Sequence, residues 1–541
     1  MTRRTRPRCL VKAQNDDDSS PIRYAHGMRT IPKLSDVKAK APNLPASAQK
    51  PLPRLSVTLP LRLLTPIIGG GVRPMEPDRA QPVRVTALRG ALRWWWRALQ
   101  ATQSLDELRE DERLLFGGVS RGGGDDNVPS LVRVGVRVTR APTLVTAGHH
   151  KDKGGRLDPQ ADWVLGRELG YGLFPLQLPR AALLEWSQKH PNQAAPTQSV
   201  ITSLEFELTV ELDREALWRR VQRFADDKVA QLLRKPANPA EFMEAQARAT
   251  PEAIVRRAQR LAQDAVAALR WWLHWGGVGA RTRRGFGAVA LRAPADVRGG
   301  EGHAALPALA DANTFETLPQ LPELPPEKRP NNRPTLFGAR LLRRVSSSGA
   351  NDPSAEHRLL VGALRDMRQR EGYARDAGSQ GRPGQTRWPE AELMKHRLVN
   401  NAPGMEHRQQ VPAQDRPRLS APRAAFGLPI VMHFKDRGDG QANGQIIPIA
   451  PSKTDRWASP LLLRPQQLPR GQIAAGVLIL SGAAVPGEVE VQGTRGQPCS
   501  VRGAVGARGE VAQDLQANGG DALAAFSRRI QGTHGFKPEP S

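Results

Sequence analysis

The chain has 541 residues, too many for one ordinary core, and its 79 Lys and Arg against 53 Asp and Glu leave a formal charge of +26. Two cysteines, Cys9 and Cys499, can build neither a disulfide framework nor a cysteine-rich zinc site. No apolar run approaches the roughly 18 residues that span a bilayer, so the charge points to a polyanion: nucleic acid first, an anionic membrane surface second.

A GC-rich genome that favours Arg over Lys is the plain alternative source of that charge. Residues 1–50 are basic, polar and aperiodic, and read as a flexible arm. The two cysteines fit a reducing cytoplasm, and with no apolar segment after the basic start no secretory signal is expected. Order begins at Leu55. LSVTLPLRL alternates like a strand and runs into TPIIGGG, a loop where backbone must lie close to something. VTALRGALRWWWRALQ is helical: Leu88, Leu92, Trp95 and Leu99 share the core stripe, and Arg89, Arg93 and Arg97 lie one turn apart on another face. SLVRVGVRV and ITSLEFELTVEL alternate as strands. Helices are expected near 214–234 and 251–275, the second ending at Gly276-Gly277 and leading through GVGARTRRGFG to the strand AVALRA. The order strand, helix, strand, strand, helix, strand is that of the split βαβ or ferredoxin-like unit.

From Leu306 to Pro334 proline is dense and periodicity absent, which reads as a linker. PTLFGARLLRRV restarts order as a strand, HRLLVGALRDMRQREG is helical, and PIVMHF, PLLLRP and IAAGVLILSG are strand-length apolar runs. The expected division is an arm at 1–50, a first domain at 51–295, a linker at 296–332, a second α+β domain at 333–530 and a tail at 531–541.

Two constellations carry chemistry. In the loop from Gly276 to Gly287, five glycines leave backbone N–H groups accessible, while Arg281, Arg283 and Arg284 offer planar donors to phosphate. Gly279 lies within it, and no Gly-Lys-Ser/Thr follows to make a Walker loop. In Leu88–Arg97, three consecutive tryptophans cannot share one buried stripe; Trp94 and Trp96 must meet a sheet edge, a partner protein or nucleotide bases. Arg89, Arg93, Arg97 and Trp96 are the candidate RNA contacts there, with an exposed helix face as the plain alternative for the arginines.

The segments TPIIGGG (65–71), PVRVTALRGALRWWWRAL (82–99), GGVGARTRRGFG (276–287), TRWPE (386–390), PRAAFGLPIVMHF (422–434) and RWASPLLLRP (456–465) together resemble the Cmr-one family of RAMP proteins, subunits of type III-B CRISPR effector complexes. The resemblance implies an α+β chain of two tandem ferredoxin-like domains with long loops. It further implies assembly with other RAMP subunits of a Cmr complex and contact with guide RNA, near its 3′ end, and with target RNA. It implies a binding subunit without catalysis, cofactor or metal.

The alternative is a RAMP endoribonuclease that processes CRISPR precursor RNA, which would need a general base. His149, His150, His274 and His433 are the residues to weigh. The first two sit in a loop, His274 is expected on the outer face of its helix beside the glycine loop, and His433 shares a strand face with Val431. Asp16–Asp18 and Asp125-Asp126 lie in polar runs that suit solvated loops better than a metal site.

Overall fold

Strict alternation makes LSVTLPLRL the strand β1 (Leu55–Leu63), with Leu55, Val57, Leu59 and Leu61 turned into the core. β1 pairs antiparallel with β3 (Gln198–Leu212) on one side and with β4 (Val289–Leu291) and the short β5 (Arg298–Gly299) at its other pairings. β3 also pairs with β2 (Val132–Ala147), so the strand order is β2-β3-β1-β4. Between β1 and β2 come α1 (Val85–Ala98) and α2 (Leu105–Phe116). A short α3 (Arg167–Leu173) precedes β3, and α4 (Arg214–Arg234), α5 (Pro239–Arg248) and α6 (Pro251–Trp275) follow it. α6 starts as its sequence dictates, with Thr250 accepting from Ala253 N and proline at the first turn. With α1 and α6 as its two helices, this is the strand order and connection of the split βαβ unit.

The structure, a computed structural model, describes residues 54–71, 76–118, 127–147, 167–173, 185, 188–189, 198–234, 239–293, 297–299, 313–346, 351–378, 384–398, 411–433, 443–448, 456–494 and 497–539. All of these belong to one compact unit, Leu52–Ser541. The N-terminal arm, His149-His150, Asp16–Asp18 and Asp125-Asp126 lie outside the described residues.

The second half follows α7 (Asn313–Glu316) and repeats the connection. β6 (Pro334–Val345) leads to α8 (Pro353–Gln369), β9 (Leu461–Gln467) and β10 (Ile473–Gly482) form an antiparallel pair, and α11 (Ala522–His534) leads to β13 (Lys537–Pro538). The strand order is β13-β6-β10-β9. α9 (Glu390–Leu398), β7 (Ile430–His433) and β8 (Asn443–Pro448) are inserted before β9. β11 (Glu488–Val491), β12 (Cys499–Ser500) and α10 (Gly509–Ala517) lie before α11, and β7, β8, β11 and β12 make a third sheet. The fold is therefore α+β, with three antiparallel sheets.

Residues 531–541 had been expected as a tail. Instead α11 continues to His534, and Lys537 and Pro538 pair with Arg343 and Leu342 of β6. The helix is fixed at its start by Asp521, whose carboxylate accepts from Leu523 N and Ala524 N.

The two halves share one core. Leu336, Leu341, Leu462, Leu478 and Leu480 of the second half pack in the cluster that holds β1, α1 and α6. Phe315 and Leu321, in the proline-rich stretch, are buried in it too. Polar contacts cross as well: Arg464 donates to Leu273 O at 2.7 Å and Val289 O at 2.9 Å, and Gln466 donates to His274 O at 3.2 Å. At Leu273 O the Arg464 guanidinium caps the last turn of α6, where a cation is favoured, and at Val289 O it ties that end to β4. Just past the end of α1, Arg333 donates to Gln100 O and Thr102 O, while Thr335 Oγ1 donates to Ala98 O in the helix's last turn.

Candidate nucleic-acid interface

The glycine loop after α6 is a structural knot. Gly276 ends the helix with extended backbone rather than a left-handed turn, and the position needs glycine because a Cβ there would sit 2.4 Å from the Trp272 ring. Gly279 (φ +81°) lets the chain pass the TPIIGGG loop, where a side chain would meet Ile68 O at 2.7 Å. Ala280 N donates to Ile68 O at 2.6 Å and Gly287 N to Pro66 O at 2.8 Å. Thr65 Oγ1 completes the pairing, donating to Gly285 O at 2.6 Å and accepting from Ala288 N at 2.8 Å. Arg281 itself takes a left-handed conformation (φ +58°, ψ +28°) before the 3₁₀ turn Thr282–Arg284.

The three loop arginines are not equivalent. Arg283 donates to Ser459 O and its guanidinium lies 5.2 Å from the Trp94 ring centre. Arg284 donates to Phe426 O at 3.1 Å, and burial pushes its pKa down to about 10. Both therefore brace the loop against the second half, through the very segments PRAAFG and RWASP. His357 of α8 adds a contact from the other side, its Nε2–H donating to Arg284 O at 2.9 Å. Arg281 is half-buried and lowered by burial, with Tyr171 and Arg368 as the charges that act on it.

Arg368 of α8 lies 5.9 Å from both the Tyr171 and the Phe426 ring centres and has no ion pair among the described residues. Arg423 is 8 % exposed and lowered by burial, balanced in part by Glu390 and opposed by Arg368 and Arg375. Glu390 is fully buried, accepts from Arg423 N at 2.5 Å, and is raised by burial. Arg281, Arg284, Arg368 and Arg423 thus lie around Tyr171, with Arg375 acting on Arg423 and Glu390 the carboxylate beside Arg423 and Arg368.

The arginine-tryptophan helix departs from expectation in two ways. Trp96, assigned above to bases, is buried at 0 % exposure against Phe116, because α2 covers that face. It cannot reach a nucleotide. Arg93 and Arg97 are both held by Glu112 of α2, at 2.6 Å each, and their charge is compensated. Arg89 remains half-buried with no ion pair among the described residues. Trp95 is core as expected, stacked on Trp271 at 5.7 Å. The helix and the glycine loop do come together, through Arg283 on Trp94.

His274 was expected on the outer face of α6. It is buried, its Nε2–H donates to Phe315 O at 3.0 Å, and burial with nearby Arg464 depresses its pKa to about 3. Reading the sequence alone missed α2, although Ser104 before Glu107 is a capping signal and Ser104 does accept from Glu107 N. It also assigned no role to Glu390 and Arg423, which lay inside the quoted segments TRWPE and PRAAFG. Among the described residues no helix is long and apolar enough to cross a membrane.

With this geometry in view, residues 60–290 match the family model of the RAMP superfamily. That span forms a RAMP superfamily domain. The crystal structure of apo Cmr1 from Pyrococcus furiosus aligns over 89 % of this chain and 98 % of its own, at 14 % identity and a TM-score of 0.37. A chain of the type III-B Cmr-beta complex bound to cognate target RNA aligns over 87 % of this chain and 100 % of its own, at 11 % identity and TM-score 0.39. A second such chain, from the complex that also contains AMPPnP and was determined in the presence of ssDNA, gives 88 %, 100 %, 12 % and 0.39. No curated protein matches the chain.

Proposed function

We propose that this protein is an RNA-binding, non-catalytic subunit of a type III-B CRISPR effector complex, built from two tandem ferredoxin-like RAMP domains. Its RNA is the guide, near the 3′ end, or the target paired with it, and its neighbours are other RAMP subunits. One observation carries the reading: the glycine loop brings Arg281 to Arg368 of the second half, beside Tyr171 and the buried Arg423–Glu390 pair, so that guanidinium groups outnumber carboxylates there. A protein of formal charge +26 with such a cluster gains on binding a polyphosphate by releasing counterions. Arg89, Gly279 and Arg281 stay as RNA contacts; Arg283 and Arg284 shape the loop. The processing nuclease is the weaker reading, since His274 and His357 both spend Nε2 on a backbone carbonyl and lie buried.

The test is binding of labelled single-stranded oligouridine and of a guide–target pair to the full chain. Arg281→Ala with Arg368→Ala should weaken binding and flatten the log–log salt slope by about 1.4, near ~0.7 per lost contact. Unchanged affinity and slope across roughly 50–300 mM salt overturns the assignment. Failure to co-purify with RAMP subunits encoded beside it would refute the complex, and cleavage of repeat RNA in EDTA to a 2′,3′-cyclic phosphate would favour the nuclease.

A further inference from the structure

The helix α2, LDELREDERLLF, carries five carboxylates between Asp106 and Glu112, and four of them are directed at arginines of other helices. Glu112 takes Arg93 Nε at 2.7 Å, Arg97 Nε at 2.8 Å and the Nη2 atoms of both at 2.6 Å. Asp111, 3 % exposed, takes Arg257 and Arg260, Glu110 shares Arg257, and Glu107 lies 3.9 Å from Arg248. Five arginines of α1, α5 and α6 thus end on one short acidic helix.

We propose that α2 acts as an internal polyanion, masking the arginine row of α1 so that RNA is confined to Arg89 and the arginine junction. The proposal rests on the RNA-binding reading above. Arg89, Arg93 and Arg97 stand one turn apart on α1, and Trp94, beside Arg93, carries the guanidinium of Arg283. Without α2 the arginine row of α1 would stand uncompensated from Arg89 to Arg97, about two turns or roughly 12 Å. With α2 in place the uncompensated row stops at Arg89, because Arg97 already grips both Glu112 oxygens in the fork geometry a phosphate would offer and Arg93 gives two donors to one of them. Arg93 and Arg97 keep 34 % and 43 % of their side chains exposed, so what bars them from RNA is the occupied charge, not burial. A competing, merely structural role would be to tie α1, α2 and α6 together; it predicts lower stability on removal of a carboxylate and no gain in RNA binding.

The variant is Glu112→Gln, which keeps the size and the acceptor oxygen while freeing one unit of positive charge on α1. Oligouridine should bind it more tightly at low salt, with a log–log salt slope steeper by about 0.7 to 1.4, for one or two added contacts. Adding Arg93→Gln and Arg97→Gln should return both values to those of the parent. A Glu112→Gln protein that folds and binds with the parent's affinity and slope overturns the proposal. Should that variant fold poorly, arginine modification by phenylglyoxal on the parent decides: bound oligouridine should leave the reactivity of Arg93 and Arg97 unchanged, and their protection would refute the mask. If the parent binds no RNA while Glu112→Gln does, the mask stands and the RNA-binding reading fails. If neither binds, both are wrong.

Discussion

His357 ties α8 to the glycine loop, and its burial makes the junction sensitive to acid. Its Nε2–H donates to Arg284 O, its Nδ1 has no partner, and burial depresses its pKa from 6.5 to about 4. His274, on the far side of the α6 end, is depressed from 6.5 to about 3. A histidine lowered on folding contributes stability that is present above its unfolded pKa and is lost as pH falls towards the folded value. At pH 5 each histidine is protonated in the unfolded chain and neutral in the native one, which removes about 2 kcal/mol apiece. Asp264 opposes this. Burial raises its carboxyl from 3.8 to about 6, so the native state gains a proton as pH falls through that window. That returns about 1.4 kcal/mol at pH 5. The net loss between pH 8 and pH 5 is then about 2.5–3 kcal/mol from these three groups.

The perturbation is His357→Gln, which retains a donor for Arg284 O and removes the titration. Urea unfolding of both proteins at pH 8 and pH 5, at equal ionic strength, should show the variant losing about 2 kcal/mol less over that interval. The difference between the two proteins isolates His357 from every other titrating group. If the two lose the same amount, His357 is protonated in the folded state at pH 5 and its packing has been misjudged.

Truncating Trp95 to Ala should destabilise by about 3–5 kcal/mol in the same assay, since it removes a residue 2 % exposed and stacked on Trp271; unaltered stability with lost RNA binding would reverse the assignment of α1's faces. Nicking the chain at an engineered protease site between Gly300 and Asp311 should leave the two fragments associated on gel filtration, held by the shared core and by Arg464 and Arg333. Fragments that separate without denaturant would show that these contacts are weaker than their burial implies.

Local pattern sufficed for much of the fold. The alternation in LSVTLPLRL, the helices at 214–234 and 251–275 and the strand after the glycine loop are written in periods of two and 3.6, and the expected strand, helix, strand, strand, helix, strand order is present in the first half, with α2, α3 and α5 as unforeseen additions. The second half was harder to read because its repeat of that order is interrupted: a third sheet is inserted between α8 and β9 and again after β10, and the closing strand is two residues long. Composition and the glycine-arginine spacing pointed to a polyanion partner, and the proposed RNA surface keeps Arg281 of the glycine loop.

Which arginines serve that site is a tertiary matter. Arg93 and Arg97 have the same local sequence signature as Arg89, but Glu112 arrives from another helix and neutralises them. Arg283 and Arg284 look like phosphate ligands until carbonyls more than 140 residues away take their donors. Arg368 and Arg423, silent in any local pattern, come beside Tyr171 and the glycine loop only because the second half folds back on it. A guanidinium's role depends on the charges and acceptors within a few ångströms of it, and in a chain with this many arginines only the packing of distant segments decides what those are.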